Sequence, residues 1–386
     1  MTADPAILIQ QADQALGSGQ LDSATQLLSQ AASLTSDDPA VWLRLAAVHR
    51  ANGKPAEALH AVRRALEASP LDFMALLMQA SLLEKLGDAS AGEAWDHALA
   101  QTPDGELPPH VEAAVAQGRQ RRDSWLDARE AALASAMAKA EADADPDESK
   151  RITRFRSNVL RRTKAFHSTP THFHFPGLRE LEFHPRSKFA WLAELEAATE
   201  TIASELDAVM AAERAELVPY IQYADHLPLD QWRPLNNNPD WTAIHLLNRG
   251  ERVEANARHC PVTMNILSAL PQPDIAGAGP NAMFSLLAPR TAIPSHVGVN
   301  NTRLVCHLPL IVPPGCWFRV GAETVHWERG KAFVFDDTME HEAANPSNEL
   351  RVVFIFDLWH PDLSAAERDA VRSLIEFDPA ARAQII

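Results

Sequence analysis

Two histidines in the C-terminal third of the chain stand at positions that could hold a metal ion. His296 and His341 each come where a short apolar segment gives way to polar residues, and Arg351 begins a nearly continuous apolar stretch ten residues after His341. Imidazole nitrogens are ligands of ferrous iron, and a buried arginine with a hydroxyl nearby can hold a carboxylate by paired hydrogen bonds. If the fold brings these side chains together, they fit an oxygenase site that binds iron and 2-oxoglutarate.

The third ligand of such a site is not where it is usually found. The common arrangement has a carboxylate two residues after the first histidine, and this chain has Gly298 there. From the residues alone, three explanations stay open. Water completes the metal site, or Asp336, Asp337 or Glu340 completes it, or the site has lost its function.

Strands must position these side chains, and the sequence after residue 218 favours strands. Short apolar runs alternate with Pro, Gly and Asn, which is typical of antiparallel β-structure. The close spacing predicts a double-stranded β-helix of the jelly-roll, cupin-like kind, with flanking helices such as one over 189–214. The predicted strands cover 241–247, 282–288, 304–312, 316–320, 323–327, 332–335 and 350–358.

The first hundred residues repeat with a period of 34. Glycines, small residues and large apolar residues recur at this spacing, at Gly19, Gly53 and Gly87, at Ala12, Ala46 and Ala80, and at Leu8, Trp42 and Leu76. This pattern resembles the tetratricopeptide repeat, in which two helices pack through small residues. We therefore predict an all-α repeat domain at 1–105, with units at 5–38, 39–72 and 73–105. Such repeats could bind a peptide or protein, or could simply brace the C-terminal domain.

A helical linker is predicted over 106–172, and the oxygenase-like domain over 173–386. The Ala-, Arg- and Glu-rich segments 117–122 and 126–142 predict helix, and the acidic segment 141–150 predicts a break. The basic run at 150–164 could bind an acidic partner, although a solvated helix face is the more common explanation.

Composition excludes several classes of function. The formal net charge is −16, which disfavours binding to nucleic acid or to an anionic membrane surface. No apolar run is long enough to cross a membrane, and no secretory signal is visible. Three cysteines are too few for a disulfide framework, so we expect a cytoplasmic, reducing environment.

The region from 285 to 361 resembles the aspartyl/asparaginyl β-hydroxylase family. The similarity is carried by three segments, HVGVNNTRLVCHL at 296–308, ERGKAFVFDDTMEHE at 328–342 and RVVFIFDLWHP at 351–361. It extends upstream to Trp241 and loosely to residues 176–178. Members of this family have a two-histidine iron site in which glycine replaces the carboxylate, and the family's vertebrate enzyme also carries repeats of the kind described above. The resemblance thus makes Gly298 an expected feature.

The resemblance also implies a role for individual residues. It implies Fe(II) as the metal, 2-oxoglutarate as the cosubstrate and O2 as the oxidant. By this resemblance His296 and His341 bind the metal and are the catalytic residues, and Arg303 faces the substrate. The residues that the resemblance assigns to 2-oxoglutarate are Trp241, Ser285, His307 and Arg351. One departure is Val305, because the family usually has a second arginine there that contacts the cosubstrate.

The function that the resemblance implies is β-hydroxylation of an aspartyl or asparaginyl residue in a peptide or protein, which the repeats could hold. Two alternatives remain open. One is hydroxylation of a small molecule or a lipid acyl chain on the same barrel. The other is a catalytically silent scaffold, which Val305 favours and the joint presence of His296, His341, Arg351 and Ser285 disfavours.

Overall fold

The computed structural model describes residues 4–212, 217–222, 233 and 236–378, which form two compact units. The division falls between Arg162 and Thr163. The chain divides ten residues before the predicted boundary at 172/173, because residues 169–172 bond to the second unit. The ends of the predicted domains, at 1–3 and 379–386, lie outside the described residues.

The helical unit begins with three pairs of helices that follow the predicted repeat. They are α1 (Pro5–Gly17), α2 (Leu21–Leu34), α3 (Pro39–Ala51), α4 (Pro55–Ala68), α5 (Phe73–Lys85) and α6 (Ala91–Leu99). Asp4, Asp38 and Asp72, again 34 residues apart, each cap the first helix of a pair by accepting a backbone N–H. The repeat therefore also fixes where each pair of helices starts.

Two further helices complete the helical unit, α7 (Pro109–Asp143) and α8 (Pro146–Val159). α7 includes both of the segments predicted to be helical, 117–122 and 126–142. Two glycines make room for tryptophans between α6 and α7. A Cβ at Gly92 would lie 2.1 Å from the Trp125 ring, and one at Gly118 would lie 2.7 Å from the Trp95 ring. Gly92, an unfavourable residue inside a helix, is thus required by packing.

The basic run that ends this unit is largely neutralised within the unit. Arg156 pairs with Glu141 of α7, Arg162 pairs with Asp127 and Glu130, and Arg161 lies 3.4 Å from Asp96. These pairs support the structural explanation of the run over binding to an acidic partner.

The second unit is β-rich and contains two antiparallel sheets. The large sheet has the order β1-β2-β4-β11-β6-β9, with β3 paired to β2, and the small sheet has the order β5-β10-β7-β8. The strands are β1 (Leu217–Pro219), β2 (Trp241–Asn248), β3 (Glu251–Arg252), β4 (Ala282–Leu287), β5 (Thr291–His296), β6 (Arg303–Ile311), β7 (Trp317–Val320), β8 (Glu323–His326), β9 (Phe333–Phe335), β10 (His341–Asn345) and β11 (Arg351–Trp359).

Two apolar clusters lie on the two faces of the large sheet. One cluster joins it to the small sheet and includes Met283, Phe318 and Ile355. The other joins it to helices and includes Leu195, Ile202 and Phe354. These helices are α9 (Leu192–Ala197), α10 (Thr199–Met210) and α12 (Pro261–Ser268), while α11 (Glu254–Ala257) follows β3 and α13 (Ala365–Phe377) follows the last strand. The helix predicted over 189–214 is therefore two helices, α9 and α10. The end of the predicted range, at 213–214, lies outside the described residues.

All seven predicted strands are present, with ends that differ by a residue or so. Four strands were not predicted, β1, β3, β5 and β10. None of the helices in the described part of the chain combines the length and the hydropathy that crossing a membrane requires.

Candidate active site

The two predicted metal ligands lie side by side on neighbouring strands of the small sheet. His296 ends β5 and His341 begins β10, and the two residues are directly opposite each other in the antiparallel register. Their ring centroids are 4.1 Å apart. The ring Nδ1 of His296 lies 2.8 Å from the Pro294 carbonyl, and that of His341 lies 2.9 Å from the Met339 carbonyl. A carbonyl can only accept, so each Nδ1 carries the proton and each Nε2 carries the lone pair.

Burial keeps both imidazoles neutral, as metal ligation requires. It lowers the pKa of His296 to about 4. Burial, together with the neighbouring His296, holds the pKa of His341 well below its ordinary value. Neutral imidazole is the form that binds a metal, so the pair is suited to supply two nitrogen ligands.

A carboxylate fills the space that a side chain at position 298 would occupy. A Cβ built on Gly298 would lie 2.4 Å from Oδ2 of Asp337, and the backbone N–H of Gly298 donates to the Asp337 carbonyl. Burial raises the pKa of Asp337 to about 6, against the opposing effect of Arg303. Of the three carboxylates that the sequence left open, Asp337 is the one beside Gly298.

The other two carboxylates have different partners. Asp336 accepts from the backbone and hydroxyl of Thr338, and Glu340 pairs with Arg319. Among the described residues, no group of three or more His, Cys, Asp or Glu side chains could hold a metal. The donor set thus consists of two imidazoles with a carboxylate nearby.

Arg351 is a buried cation without a carboxylate partner in the described structure. Its side chain is 1% exposed, and its Nε has no hydrogen-bond partner. Burial lowers its pKa to about 10, and no aspartate or glutamate contributes to that shift. Its guanidinium lies over the Trp327 ring, 4.8 Å from the centroid. A buried charge of this kind requires an anionic ligand.

The remaining predicted cosubstrate residues border the same cavity. Trp241 donates its indole N–H to the Ser285 hydroxyl over 3.1 Å, which leaves the hydroxyl proton to be given elsewhere. His307 is buried and its Nδ1 has no partner. One cavity is lined by all seven residues predicted for the site, Trp241, Ser285, His296, Arg303, His307, His341 and Arg351.

Arg303 lines the cavity, but two aspartates already bind its guanidinium. Nη1 donates to Asp357 over 2.5 Å and Nη2 donates to Asp337 over 2.9 Å. All three side chains are at most 10% exposed. Burial would lower the pKa of Arg303, but the two carboxylates raise it. The charge that was predicted to face a substrate is therefore balanced within the protein.

Several cavity residues were not predicted from the sequence. Tyr220 stacks on Trp241 with the ring centroids 4.0 Å apart, and burial raises its pKa. Trp327 and Asp357 also line the cavity. Asp357 falls within the segment 351–361 that carries the family resemblance, which was the available signal for it, whereas Trp327 lies one residue before the segment at 328–342. Tyr220 lies outside those segments.

A segment near the start of the β unit, residues 168–172, bonds to both loops that carry the histidines. We call it the strap. Ser168 lies 2.6 Å from the Thr338 hydroxyl, and the Thr169 N–H donates to the Thr338 carbonyl over 2.9 Å. The Thr171 N–H donates to the Gly298 carbonyl over 3.0 Å. The strap thus satisfies backbone groups in the loop after His296 and in the loop before His341.

Comparison with known proteins finds a matching family model for the β unit and another for the repeats. Residues 196–361 match the model of the aspartyl/asparaginyl beta-hydroxylase family, and residues 15–105 match the model of the tetratricopeptide repeat. Residues 196–361 are therefore similar to the aspartyl/asparaginyl β-hydroxylase family. The resemblance found in the sequence is thereby confirmed, together with the repeats that precede it.

Proteins with similar sequences match only part of the chain. The human aspartate beta-hydroxylase domain-containing protein 2 is 39% identical over 148 residues, which are 37% of this chain and 40% of that protein. The Xenopus tropicalis protein of the same name is 33% identical over 53% of this chain and 54% of its own length. Human aspartyl/asparaginyl beta-hydroxylase is 33% identical over 42% of this chain and 21% of its own length. The chain thus spans about half or less of the relatives it matches.

Among solved structures, the tetratricopeptide domain of Sgt2 from Aspergillus fumigatus is similar over 31% of this chain and 79% of its own. The sequence identity is 18% and the TM-score is 0.28.

Proposed function

We propose that the protein is an Fe(II)- and 2-oxoglutarate-dependent dioxygenase whose two sheets form a jelly-roll barrel. The observation that carries the proposal is the content of one cavity. It holds two neutral histidines in register and, within the described structure, a buried arginine that has no acidic partner. The first feature suits a metal ion, and the second suits the carboxylate of a dicarboxylic acid.

Each of these residues would have a definite task. His296 and His341 would hold the metal through Nε2, since Nδ1 of each ring is bound to a carbonyl. Arg351 and Ser285 would hold the distal carboxylate of 2-oxoglutarate and so fix the orientation of its keto acid. A ferrous ion at the histidines would couple O2 and oxidative decarboxylation of 2-oxoglutarate to insertion of oxygen into a substrate C–H bond.

The walls of the cavity would keep water away from the reacting groups. Met283, Ile293, Phe318, Phe335 and Ile355 contribute apolar side chains to the lining. A dry cavity strengthens the interaction between Arg351 and a bound anion, because little solvent screens the charges.

The substrate we propose is an aspartyl or asparaginyl residue of a peptide or protein, hydroxylated at the β-carbon. The similarity of residues 196–361 to the family supports this class of reaction. The repeats at 15–105 supply a surface of the kind that binds peptides. A cytoplasmic location stays a prediction.

A second candidate is supported by the state of Arg303. Because Asp337 and Asp357 balance its charge, an acidic substrate group would meet two carboxylates in addition to one guanidinium. This arrangement favours an uncharged group, such as an amide of asparagine, a small neutral molecule or an acyl chain.

Succinate formation tests the proposed function. Protein is supplied with Fe(II), 2-oxoglutarate and O2, and we expect succinate from wild type and none above background from His341→Ala. His326→Ala is the matched control, because His326 is exposed on β8 outside the cavity. Equal succinate from wild type and His341→Ala would contradict the proposal, and succinate from neither would favour a silent scaffold. A search for a mass increase of one oxygen on Asp or Asn then separates peptide from small-molecule substrates.

A further inference from the structure

Among the described residues, three buried polar atoms at the Arg351 end of the cavity find no hydrogen-bond partner. They are Nε of Arg351, Nδ1 of His307 and Nε1 of Trp327. Buried donors in folded proteins are nearly always paired, so a cluster of unpaired ones around a cavity indicates a ligand. Arg351 and His307 were expected to contact a cosubstrate, but no role has been assigned to Trp327.

Packing fixes the indole ring of Trp327 at this end of the cavity. The residue follows β8 and is 6% exposed. Its ring stacks on Phe318, with centroids 5.6 Å apart and an interplanar angle of 19°. The Arg351 guanidinium also lies over the ring, with its Cζ 4.8 Å from the ring centroid. The ring is held between two fixed groups, so its N–H cannot readily turn towards another partner.

We propose that the indole N–H of Trp327 donates a hydrogen bond to the distal carboxylate of 2-oxoglutarate. This inference rests on the proposed function and adds a residue that determines cosubstrate specificity. A carboxylate has about four lone-pair sites, so the guanidinium of Arg351 and the hydroxyl of Ser285 leave room for a further donor. The Arg351 guanidinium and the indole are close enough for one carboxylate to accept from both.

The interaction also accounts for the choice of residue. A phenylalanine at 327 would preserve the stacking on Phe318 and the contact with the guanidinium, but would offer no donor. Burying an indole N–H without a partner costs free energy, which a bound carboxylate would offset. Trp327 is therefore best explained as a ligand-binding residue that also packs.

Binding of two keto acids to Trp327→Phe tests the proposal. The Fe(II)-loaded protein is titrated without oxygen, first with 2-oxoglutarate and then with 2-oxovalerate, and the visible charge-transfer absorbance is followed. 2-Oxovalerate has the same chain length but a methyl group in place of the distal carboxylate. We expect Trp327→Phe to raise the Kd of 2-oxoglutarate about tenfold or more, and that of 2-oxovalerate less than about twofold.

Trp191→Phe is the matched control, because Trp191 packs against the cluster on the opposite face of the large sheet. It should leave both constants unchanged. An equal rise for the two keto acids in Trp327→Phe would assign the tryptophan to packing and overturn the inference. An unchanged Kd for 2-oxoglutarate would overturn it as well. If wild type itself gave no absorbance change with 2-oxoglutarate, the proposed function would fail and the inference with it.

Discussion

The two units of the protein bury different kinds of side chain. Among the described residues, every buried polar or charged side chain lies in the β unit, from Ser168 to His360. The described part of the helical unit buries apolar residues, many of them alanines such as Ala12, Ala46 and Ala80. Repeats that stack through small residues need no polar interior. The β unit accepts the cost of burying charges where a ligand or an ion pair can balance them.

The difference indicates how each unit is stabilised. In the helical unit, close approach of helices and capping by Asp4, Asp38 and Asp72 suffice, and the ion pairs lie near the surface. In the β unit, partners at long sequence separation, such as Arg303 with Asp357, are needed to keep buried charges paired. Substitutions and pH should therefore affect the two units differently.

The largest expected difference is the response to acid. Among the described residues of the β unit, six histidines have lowered pKa values and two aspartates have raised ones, namely His184, His245, His296, His307, His341 and His360, and Asp336 and Asp337. Below about pH 6.5 these histidines bind protons in the unfolded chain but not in the folded one. The free energy of unfolding that they contribute therefore decreases as the pH decreases. The aspartates act in the opposite direction, because the folded state binds their protons more tightly.

Because six histidines oppose two aspartates, we expect the β unit to lose stability on balance between pH 7 and pH 5.5. The described helical unit has a single histidine with a lowered pKa, His49, and should lose far less. Hydrogen exchange measured by mass spectrometry at both pH values, corrected for the intrinsic rate, would follow each unit separately. Earlier opening of the helical unit on acidification would contradict the comparison.

A smaller effect is expected from Asp357→Asn. The change removes one of the two charges that balance Arg303 in a buried site, so the free energy of unfolding should fall by about 3 kcal/mol. Unfolding by urea measures this change in the free energy of unfolding. Asp127→Asn, which removes an exposed partner of Arg162 in the helical unit, should change the midpoint little. Equal effects of the two substitutions would show that burial does not distinguish the ion pairs.

Gly92→Ala should destabilise the helical unit by about 2 kcal/mol. The new methyl group would overlap the Trp125 ring, and overpacking of this kind forces neighbouring helices apart. Thermal unfolding followed by circular dichroism measures the change. Gly17→Ala is the control, since its Cβ would meet nothing within 4 Å, and it should stabilise α1 slightly. If Gly92→Ala left the unfolding temperature unchanged, α6 and α7 would not be closely packed.

The smallest effect is expected in the strap. Thr171→Pro removes the N–H that donates to the Gly298 carbonyl and should cost about 1 kcal/mol. Thr171→Ala keeps that N–H and should be nearly neutral, because the side chain is exposed. The measurements are the unfolding midpoint and the affinity for Co(II). If both variants bind Co(II) and unfold like wild type, the strap does not hold the histidine loops.

The sequence predicted those features that depend on local patterns. The 34-residue period located six helices, and apolar runs located seven strands. The strands that carry the histidines were not predicted, because β5 and β10 are short and partly polar. The break expected near the acidic segment is real, between α7 and α8.

Site residues were predicted where they carry a family motif, and all seven line one cavity. Their partners were not predictable, because the contacts join distant positions. Nothing in the sequence places Asp337 beside Gly298, or Asp357 on Arg303. The unpaired nitrogen of Trp327 likewise becomes evident only when its surroundings are known.

The strap has a mechanical consequence. A few residues after the chain leaves the helical unit, its backbone is bonded to the carbonyls of Thr338 and Gly298, next to the two histidine loops. Tension along the polypeptide from the N-terminal side would therefore be transmitted to these carbonyls before it reached the interior of either sheet. The strap thus anchors the chain at the entrance to the β unit, beside both histidine loops.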